Sequence, residues 1–245
     1  PYAFGWTVHG LIEEFPFVPL PSLEKAERMS FQERIEKAFE LALREGIDIF
    51  FGLASILVKV GEQFSEESEK ARKFSLELLY PKALYRLIRG LVRSRLARRP
   101  MYPKDLWDVK GIVTGGTDTS VFRSKIAEYW GKEPLEMYGG SEMLVVAVQT
   151  WDREGMTFLP DINFLEFIPE DEHIKSKSDP GYQPRTVLLS EVKANAKYEV
   201  VFTNFGGAFS RYRVGDMIKI TALRNEKLNI DIPQMVFEAR CDDII

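Results

Sequence analysis

The stretch VKGIVTGGTD at residues 109–118 decides the fold class of this chain. It begins as a short apolar run, typical of a buried strand, and ends in a turn that contains the glycine pair Gly115 and Gly116. A helix-like segment at residues 120–130 and a second apolar run at residues 135–138 follow. Strand, helix and strand in this order make a βαβ unit, whose strands pair in parallel through a right-handed crossover. The sequence therefore predicts an α/β protein.

The residues before this unit have the apolar spacing of helices. SFQE at residues 30–33 is a capping box, and the apolar stripe that follows it continues up to Gly46. Pro81 and Pro100 mark boundaries between the predicted helices, because proline interrupts a helix. After this first helix, we predict helices at residues 48–64, 66–79 and 82–97.

Short β-rich runs follow the βαβ unit. Runs of this kind, about a dozen or more residues apart, favour an antiparallel, barrel-like subdomain. Residues 169–184 are polar and are predicted as a loop. The runs cover residues 164–168, 186–189, 198–203 and 217–221.

Composition excludes several classes of protein. The 245 residues are 45% apolar, enough to bury a core, and 33 basic against 37 acidic residues give a net charge of -4. This balance argues against a nucleic-acid-binding surface. The best apolar run, residues 47–60, is too short for a membrane span and contains Asp48 and Lys59.

Cysteine and histidine are scarce. Cys241 is the only cysteine, and His9 and His173 are the only histidines. One cysteine excludes an intrachain disulfide framework and any thiolate zinc cluster, and two histidines argue against a histidine-rich metal site. A single cysteine is typical of a reducing compartment, so we expect a cytoplasmic protein.

The first candidate site is YGGSE at residues 138–142, after the second strand of the βαβ unit. Ligands of α/β sheets bind outside the carboxyl ends of the strands. Gly139 and Gly140 allow a close approach of the backbone, Ser141 offers a hydroxyl to a phosphate, and Glu142 offers a hard carboxylate for Mg²⁺. A plain Gly-Gly turn is the alternative interpretation.

The second candidate is Asp216, in YRVGD at residues 212–216. Two carboxylate oxygens match the spacing of the two hydroxyls of a ribose. Alternatively, Asp216 caps a turn and pairs with Arg211 or Arg213. The glycine pair at residues 115–116 could in the same way lie against a purine or form an ordinary strand-to-helix turn.

The order of these motifs resembles the adenylate-forming superfamily of acyl-CoA synthetases, luciferases and amino-acid-activating domains. NFLEFIP at residues 163–169, YEVVFTN at 198–204 and FEARCDD at 237–243 are similar to the auxin-responsive promoter family of acyl-acid amido synthetases. GID at 46–48 and GEQF at 61–64 add to this resemblance, which spans about 200 residues.

The resemblance implies an enzyme that uses ATP and Mg²⁺ to activate a small carboxylic acid as an acyl-adenylate. An amine such as an amino acid, or a thiol, then accepts the acyl group. Tyr138 resembles the residue that stacks on adenine, Ser141 the hydroxyl near the α-phosphate, and Glu142 the Mg²⁺ ligand. Gly115 and Gly116, with Gly139 and Gly140, would line the nucleotide; Asp216 would hold the ribose, and Arg240 would reach the nucleotide beside a hinge.

The resemblance also implies how the chain is divided. We expect a mainly helical part at residues 1–100, a βαβ part with the nucleotide motifs at 101–160, an antiparallel β subdomain at 161–236, and the start of a hinge at 237–245. The phosphate loop and the C-terminal domain with the catalytic lysine of the family are not in this sequence. We therefore expect a fragment of the large N-terminal domain, incomplete for catalysis. An acyl-CoA ligase and a non-catalytic nucleotide-binding or partner-binding relic are the alternatives, and the oligomeric state is not predicted.

The helix predicted at residues 82–97 carries a run of basic residues. A solvated helix face, a contact for an anionic acceptor such as coenzyme A, and an interfacial membrane helix are three interpretations of this run. The basic residues are Lys82, Arg86, Arg89, Arg93 and Arg95, with Arg98 and Arg99 following.

Overall fold

A computed structural model describes residues 17–69, 80–116 and 119–241. The chain divides into two compact units, and each is described here by itself. Of the described residues, the first contains 17–69, 80–114 and 119–134, and the second contains 115–116 and 135–241. The predicted helix at 66–79 falls largely on residues 70–79, which lie outside the described residues, as do Thr117, Asp118, Asp242 and Asp243.

The first unit is mainly helical, as predicted. Its helices and strands are α1 Leu23–Glu27, α2 Phe31–Glu45, β1 Ile49–Leu53, α3 Ala54–Glu69, α4 Pro81–Leu96, α5 Pro103–Leu106, β2 Gly111–Gly115 and α6 Thr119–Trp130. The predicted capping box begins α2: the Ser30 hydroxyl accepts a hydrogen bond from the Glu33 amide at 3.3 Å, and the Glu33 carboxylate accepts one from the Ser30 amide at 2.8 Å.

A pair of tryptophans lies at the centre of this unit. The rings of Trp107 and Trp130 stack at 6.2 Å, and both residues are buried. Their indole N–H groups donate to main-chain carbonyls, that of Trp107 to Ala42 at 2.9 Å and that of Trp130 to Leu57 at 3.1 Å. Buried indoles satisfied in this way fix the positions of α2 and α3 around the core.

The helix predicted at residues 48–64 is wrong in its first part. Ile49–Leu53 is the strand β1, and the helix α3 begins only at Ala54 and continues to Glu69. Strand β1 neighbours β2, and the Asp48 carbonyl accepts hydrogen bonds from the Lys110 and Gly111 amides. Aromatic and β-branched residues in IFFGL suit a pleated strand, and a partner strand supplies hydrogen bonds that sequence periodicity does not reveal.

The basic residues of α4 bind within the first unit. The Arg86 guanidinium donates to the carbonyls of Leu43, Arg44 and Glu45 at 2.7 to 3.0 Å, which are the last carbonyls of α2. Arg89 and Arg93 both pair with Asp108. Arg86 and Arg89 are half-buried, so the interpretation of a merely solvated face is wrong for these two arginines, whereas Arg93 is exposed.

The second unit is built on antiparallel strands. They are β3 Leu135–Gly140, β4 Leu144–Gln149, β5 Met156–Phe158, β6 Asn163–Pro169, β7 Val187–Leu188, β8 Lys197–Asn204, β9 Tyr212–Ala222 and β10 Gln234–Arg240. From β3 the spatial order runs β4, β5, β10, β9, β8, β6 and β7, and all these neighbours pair antiparallel. The sheet buries a core that includes Phe158, Phe167 and Phe202. The predicted antiparallel architecture is confirmed.

Two predictions for this unit need correction. The segment predicted as a loop at 169–184 contains the helix α7 Glu170–Ser178, with acidic residues in its first turn and lysines in its last. Charges in these positions complement the helix dipole and compensate for a weak apolar stripe.

The strands β4, β5 and β10 were not predicted, because β4 follows a glycine-rich turn directly and β5 has only three residues.

In the described ranges, none of the helices has both the length and the apolar character that crossing a bilayer requires.

Candidate functional site

Asp216 is the buried centre of the candidate site. It lies near the start of β9 and is only 3% exposed. Gly215 before it has φ +76°, a left-handed conformation that favours glycine. Asp216 pairs in register with Arg240 at the end of β10, so the two side chains leave neighbouring strands at the same level.

Two side chains from different strands contact the Asp216 carboxylate. The Tyr138 hydroxyl on β3 donates a hydrogen bond of 2.8 Å to Oδ2. The Arg240 Nε atom lies 3.1 Å from Oδ1. The N–H group is not aligned for a hydrogen bond, however, and the buried Oδ1 atom accepts none from the described part of the chain. Since a buried oxygen without a hydrogen bond is costly, Oδ1 is the natural acceptor for a ligand hydroxyl.

Burial has the largest effect on the pKa values of Asp216 and Tyr138. Burial raises the pKa of Asp216 above its ordinary value, and the Tyr138 hydrogen bond and the Arg240 charge offset only part of this effect. The charge of Glu142 also raises the pKa of Asp216. Burial, together with the charge of Asp216, raises the pKa of Tyr138 well above its ordinary value. Tyr138 therefore remains a protonated donor at neutral pH.

The Tyr138 ring is buried as well. The residue is 7% exposed, and its ring lies 6.3 Å from that of Phe237 on β10. The predicted stacking of this ring on adenine remains a prediction. The structure adds a contact that the sequence did not indicate, namely the hydroxyl that holds Asp216.

The glycines of YGGSE lie in the hairpin between β3 and β4. Gly140 pairs with Leu144, and the turn residues Ser141 and Glu142 are exposed. A Cβ atom on Gly139 would lie 2.0 Å from the Leu144 carbonyl oxygen, so only glycine fits there. The alternative interpretation of a Gly-Gly turn is wrong, because Gly139 and Gly140 are the last two residues of β3 and the turn begins at Ser141. Ser141 and Glu142 lie at the tip of this turn, available to a ligand.

Two asparagines that the sequence analysis did not assign hold this hairpin. Asn163 on β6 donates to the Met143 carbonyl at 2.6 Å, and Asn204 on β8 donates to the Glu142 carbonyl at 3.1 Å. Asn204 also donates to the Asn163 side chain at 2.9 Å. Asn163 begins the motif NFLEFIP and Asn204 ends the motif YEVVFTN, but their positions in the sequence did not indicate a function. They fix the position of the turn that carries Glu142.

Glu142 suits the predicted Mg²⁺ site in its donor chemistry. Its carboxylate is exposed, and within the described parts of the chain no cationic side chain pairs with it. Mg²⁺ prefers hard oxygen ligands and binds through one or two carboxylates together with substrate phosphates. Glu142 also lies close enough to Asp216 to influence its ionisation.

The remaining predictions concern the glycine pair at residues 115–116 and the arginine partners of Asp216. Gly115 is buried at the end of β2, and Gly116 after it is exposed with φ +114°. Both belong to the same compact unit as Tyr138 and Asp216. Their adenine-lining role remains a prediction. The alternative pairing of Asp216 with Arg211 or Arg213 is wrong, because Arg211 pairs with Glu166 and Arg213 pairs with Glu199.

The fold is similar to those of two solved ligases. The structure of GH3.15 acyl acid amido synthetase aligns with 86% of this chain and 40% of its own, with a TM-score of 0.58 and 18% identity. An open conformation of 2-hydroxyisobutyryl-CoA ligase aligns with 86% of this chain and 37% of its own, with a TM-score of 0.55 and 16% identity. At these identities the likeness establishes the fold alone.

Sequence similarity to known proteins covers part of the chain. Residues 156–240 match the GH3 family central domain. The chain is 37% identical over 123 residues to jasmonoyl-L-amino acid synthetase JAR4 of Nicotiana attenuata, covering 48% of this chain and 20% of that protein. It is 37% identical over 84 residues to 4-substituted benzoates-glutamate ligase GH3.12 of Arabidopsis thaliana, covering 34% of this chain and 12% of that protein. The match confirms the predicted resemblance to the acyl-acid amido synthetases, and the chain spans only part of the length of these relatives.

Proposed function

We propose that the protein containing this chain is an ATP-dependent ligase that activates a carboxylic acid as an acyl-adenylate and transfers the acyl group to an amine, such as an amino acid. The observation that carries the proposal is the buried Asp216 carboxylate, held by Tyr138 and Arg240 with one oxygen left without a hydrogen bond. A carboxylate in this state can accept a ribose hydroxyl. Similarity to amido synthetases supports an amine as the acceptor.

Binding of the nucleotide is the first task of these residues. Asp216 Oδ1 accepts a ribose hydroxyl, while Tyr138 keeps the carboxylate in place through Oδ2. Gly115, Gly116, Gly139 and Gly140 would allow the backbone to approach the base, because glycine carries no side chain. Arg240, whose side chain is 57% exposed, balances the charge of Asp216 and can turn its outer N–H groups towards a phosphate.

Activation of the acid joins two anions. A carboxylate oxygen attacks the α-phosphorus of ATP, the bond to the bridging oxygen breaks, and pyrophosphate leaves. Bound Mg²⁺ would neutralise phosphate charge in this step. Glu142 would hold the cation and Ser141 would donate to an α-phosphate oxygen, both from the tip of the β3–β4 hairpin. Positioning and charge neutralisation supply most of the acceleration in chemistry of this kind.

Transfer of the acyl group completes the proposed reaction. The amine nitrogen attacks the acyl carbon, AMP leaves, and the amine loses a proton. We place the reaction in the cytoplasm, in line with a chain that has one cysteine. We also keep the division at residues 1–100, 101–160, 161–236 and 237–245 as a proposal, with the last segment as the start of a hinge.

Isotope exchange between ATP and pyrophosphate tests the proposal on the complete protein. Pools of aromatic, fatty and small carboxylic acids are supplied one at a time, and we expect one pool to stimulate exchange. Amide product with an amino acid acceptor would then confirm the amine, whereas product only with coenzyme A would establish a thiol acceptor. Nucleotide binding without exchange from any pool would contradict the enzymatic proposal and support a nucleotide-binding relic.

A further inference from the structure

Three potential metal ligands converge in the second unit, outside the Asp216 site. They are His173 on α7, Glu199 on β8 and Cys241, which follows β10. The side chains of His173 and Glu199 are 7% and 3% exposed, and Cys241 is buried. One ligand atom from each lies within 4.8 Å of the others. We propose that these three residues form a binding site for a divalent cation of the zinc class.

The spacing of the donor atoms is close to what a tetrahedral site needs. Bonds of 2.0 to 2.3 Å around zinc place neighbouring ligand atoms about 3.3 to 3.6 Å apart. The His173 Nδ1 and Glu199 Oε2 atoms are now 2.6 Å apart and would have to separate by under about 1 Å. The other pairs of donor atoms are at most 4.8 Å apart, so each pair would have to approach by at most about 1.5 Å.

The cluster opens onto a cavity with room for a cation. The cavity has a volume of about 270 Å³ and is also lined by Ser176, Lys177 and Arg213. A single water needs only about 10 to 15 Å³ of such space. A cation bound by three protein ligands can therefore keep a water molecule in its fourth position.

Arg213 supports the carboxylate in the way that an outer-shell partner supports a metal ligand. Its Nε atom donates to Glu199 Oε1 at 2.8 Å, and its Nη2 atom lies 2.5 Å from Oε2. Burial opposes ionisation of Glu199, but hydrogen bonds from Arg213 and His173 outweigh it and lower the pKa of this carboxyl group. The carboxylate can keep the contact of Arg213 Nε with Oε1 while the cation replaces the contact of Nη2 with Oε2.

The donor set selects the kind of cation. Thiolate and imidazole ligands suit zinc and similar borderline metals, whereas Mg²⁺ and Ca²⁺ require oxygen ligands. This site is thus chemically distinct from the Mg²⁺ site proposed at Glu142. The composition excludes sites of several cysteines or histidines, but a mixed site needs only one of each. Residues 173, 199 and 241 are too far apart in the sequence for spacing to reveal it.

A bound cation would tie the end of β10 to α7 and β8. The Cys241 amide donates to the Gly215 carbonyl at 2.7 Å, and Arg240 next to it contacts Asp216. As the sulfur–metal bond forms, the Cys241 thiol proton passes to solvent, so the affinity for the metal rises with pH.

Titration with Co²⁺ as a spectroscopic substitute for Zn²⁺ tests this site on the complete protein after treatment with a chelator, without nucleotide. We expect one equivalent to produce the ultraviolet charge-transfer band of a cobalt–thiolate bond, together with the visible bands of tetrahedral cobalt. Excess Zn²⁺ should abolish both. Cys241→Ser should lose the thiolate band, and His173→Gln should weaken binding by about tenfold or more. Lys177→Met, in the same cavity but without a ligand atom, is the matched control and should retain the spectrum.

A second measurement does not depend on the variants folding. Alkylation of Cys241 by iodoacetamide, followed by peptide mass mapping, should slow by about tenfold or more when one equivalent of Zn²⁺ is present. An unchanged alkylation rate, or a thiolate band that persists in Cys241→Ser, would overturn the proposed site. Because neither measurement uses ATP or an acid substrate, the result is independent of the proposed ligase activity.

Discussion

Replacement of Asp216 by asparagine removes the charge that we assign to ribose binding and keeps the shape of the side chain. Oδ1 is buried beside Arg240 and accepts no hydrogen bond from the described residues, so a ribose hydroxyl would form a charge-assisted hydrogen bond there. Such bonds contribute about 1.5 to 3 kcal/mol, which corresponds to an affinity for AMP reduced by about 10-fold to 150-fold. Calorimetric titration at neutral pH measures the loss directly.

A second ligand separates ribose recognition from general damage to the site. AMP lacking its ribose hydroxyls should bind the wild type and Asp216→Asn with similar affinity, because the lost bond is absent from both complexes. Tyr138→Phe tests the support of the carboxylate: it removes the donor to Oδ2 and favours protonation of Asp216, so it should bind AMP more weakly than the wild type but more tightly than Asp216→Asn does. An equal loss of affinity for both ligands in Asp216→Asn would refute the ribose role.

Three further predictions address metal binding, stability and acid sensitivity. Glu142→Gln should leave AMP binding nearly unchanged but abolish the dependence of ATP binding on Mg²⁺, and identical Mg²⁺ titrations would disprove the metal role. Arg86→Met should lower the free energy of unfolding in urea by about 1 to 3 kcal/mol, because three carbonyls at the end of α2 lose their donor. Arg95→Met, on an exposed position of the same helix, should change it by under about 0.5 kcal/mol, and equal effects would argue against the capping contact. Hydrogen bonds from Lys175, the Arg185 amide and Tyr182 lower the pKa of Glu172 from its ordinary value of 4.5 to about 2. The ionised carboxylate therefore stabilises the folded state above pH 4.5, and this stabilisation is lost as the pH falls towards 2. Glu172→Gln should accordingly lower the melting temperature at about pH 6 more than at about pH 3, and a constant difference would contradict this assignment.

Local signals in the sequence were sufficient for much of the fold. The capping box at Ser30 and the proline at residue 81 marked the starts of α2 and α4, because both act through hydrogen bonds or sterics within one turn. Strand β1 could not be recognised in the same way. Its residues follow a helical periodicity almost as well, and pairing with β2, more than fifty residues later, decides the outcome.

The candidate site shows the same division between local and distant information. Gly215 and Asp216 stand next to each other, so a carboxylate following a glycine was visible as a motif. The contact with Tyr138 joins residues 78 positions apart, and it depends on the order of β3, β4, β5, β10 and β9 in the sheet. Such a contact follows from the order of the strands in the sheet, and the spacing of residues along the sequence does not reveal this order. The roles of Asn163 and Asn204 escaped prediction for the same reason, since each acts on a hairpin of another part of the sheet.

The contact between Tyr138 and Asp216 has a consequence for how the site is prepared for a nucleotide. A buried carboxylate with a raised pKa tends to take up a proton, and a protonated Asp216 would be a weaker acceptor for ribose. Tyr138 and Arg240 both oppose this tendency, one through a hydrogen bond and the other through its charge. Because Arg240 stands at the end of β10, beside the proposed hinge, movement of that segment would alter the charge balance of Asp216. Nucleotide affinity would then depend on the position of that segment.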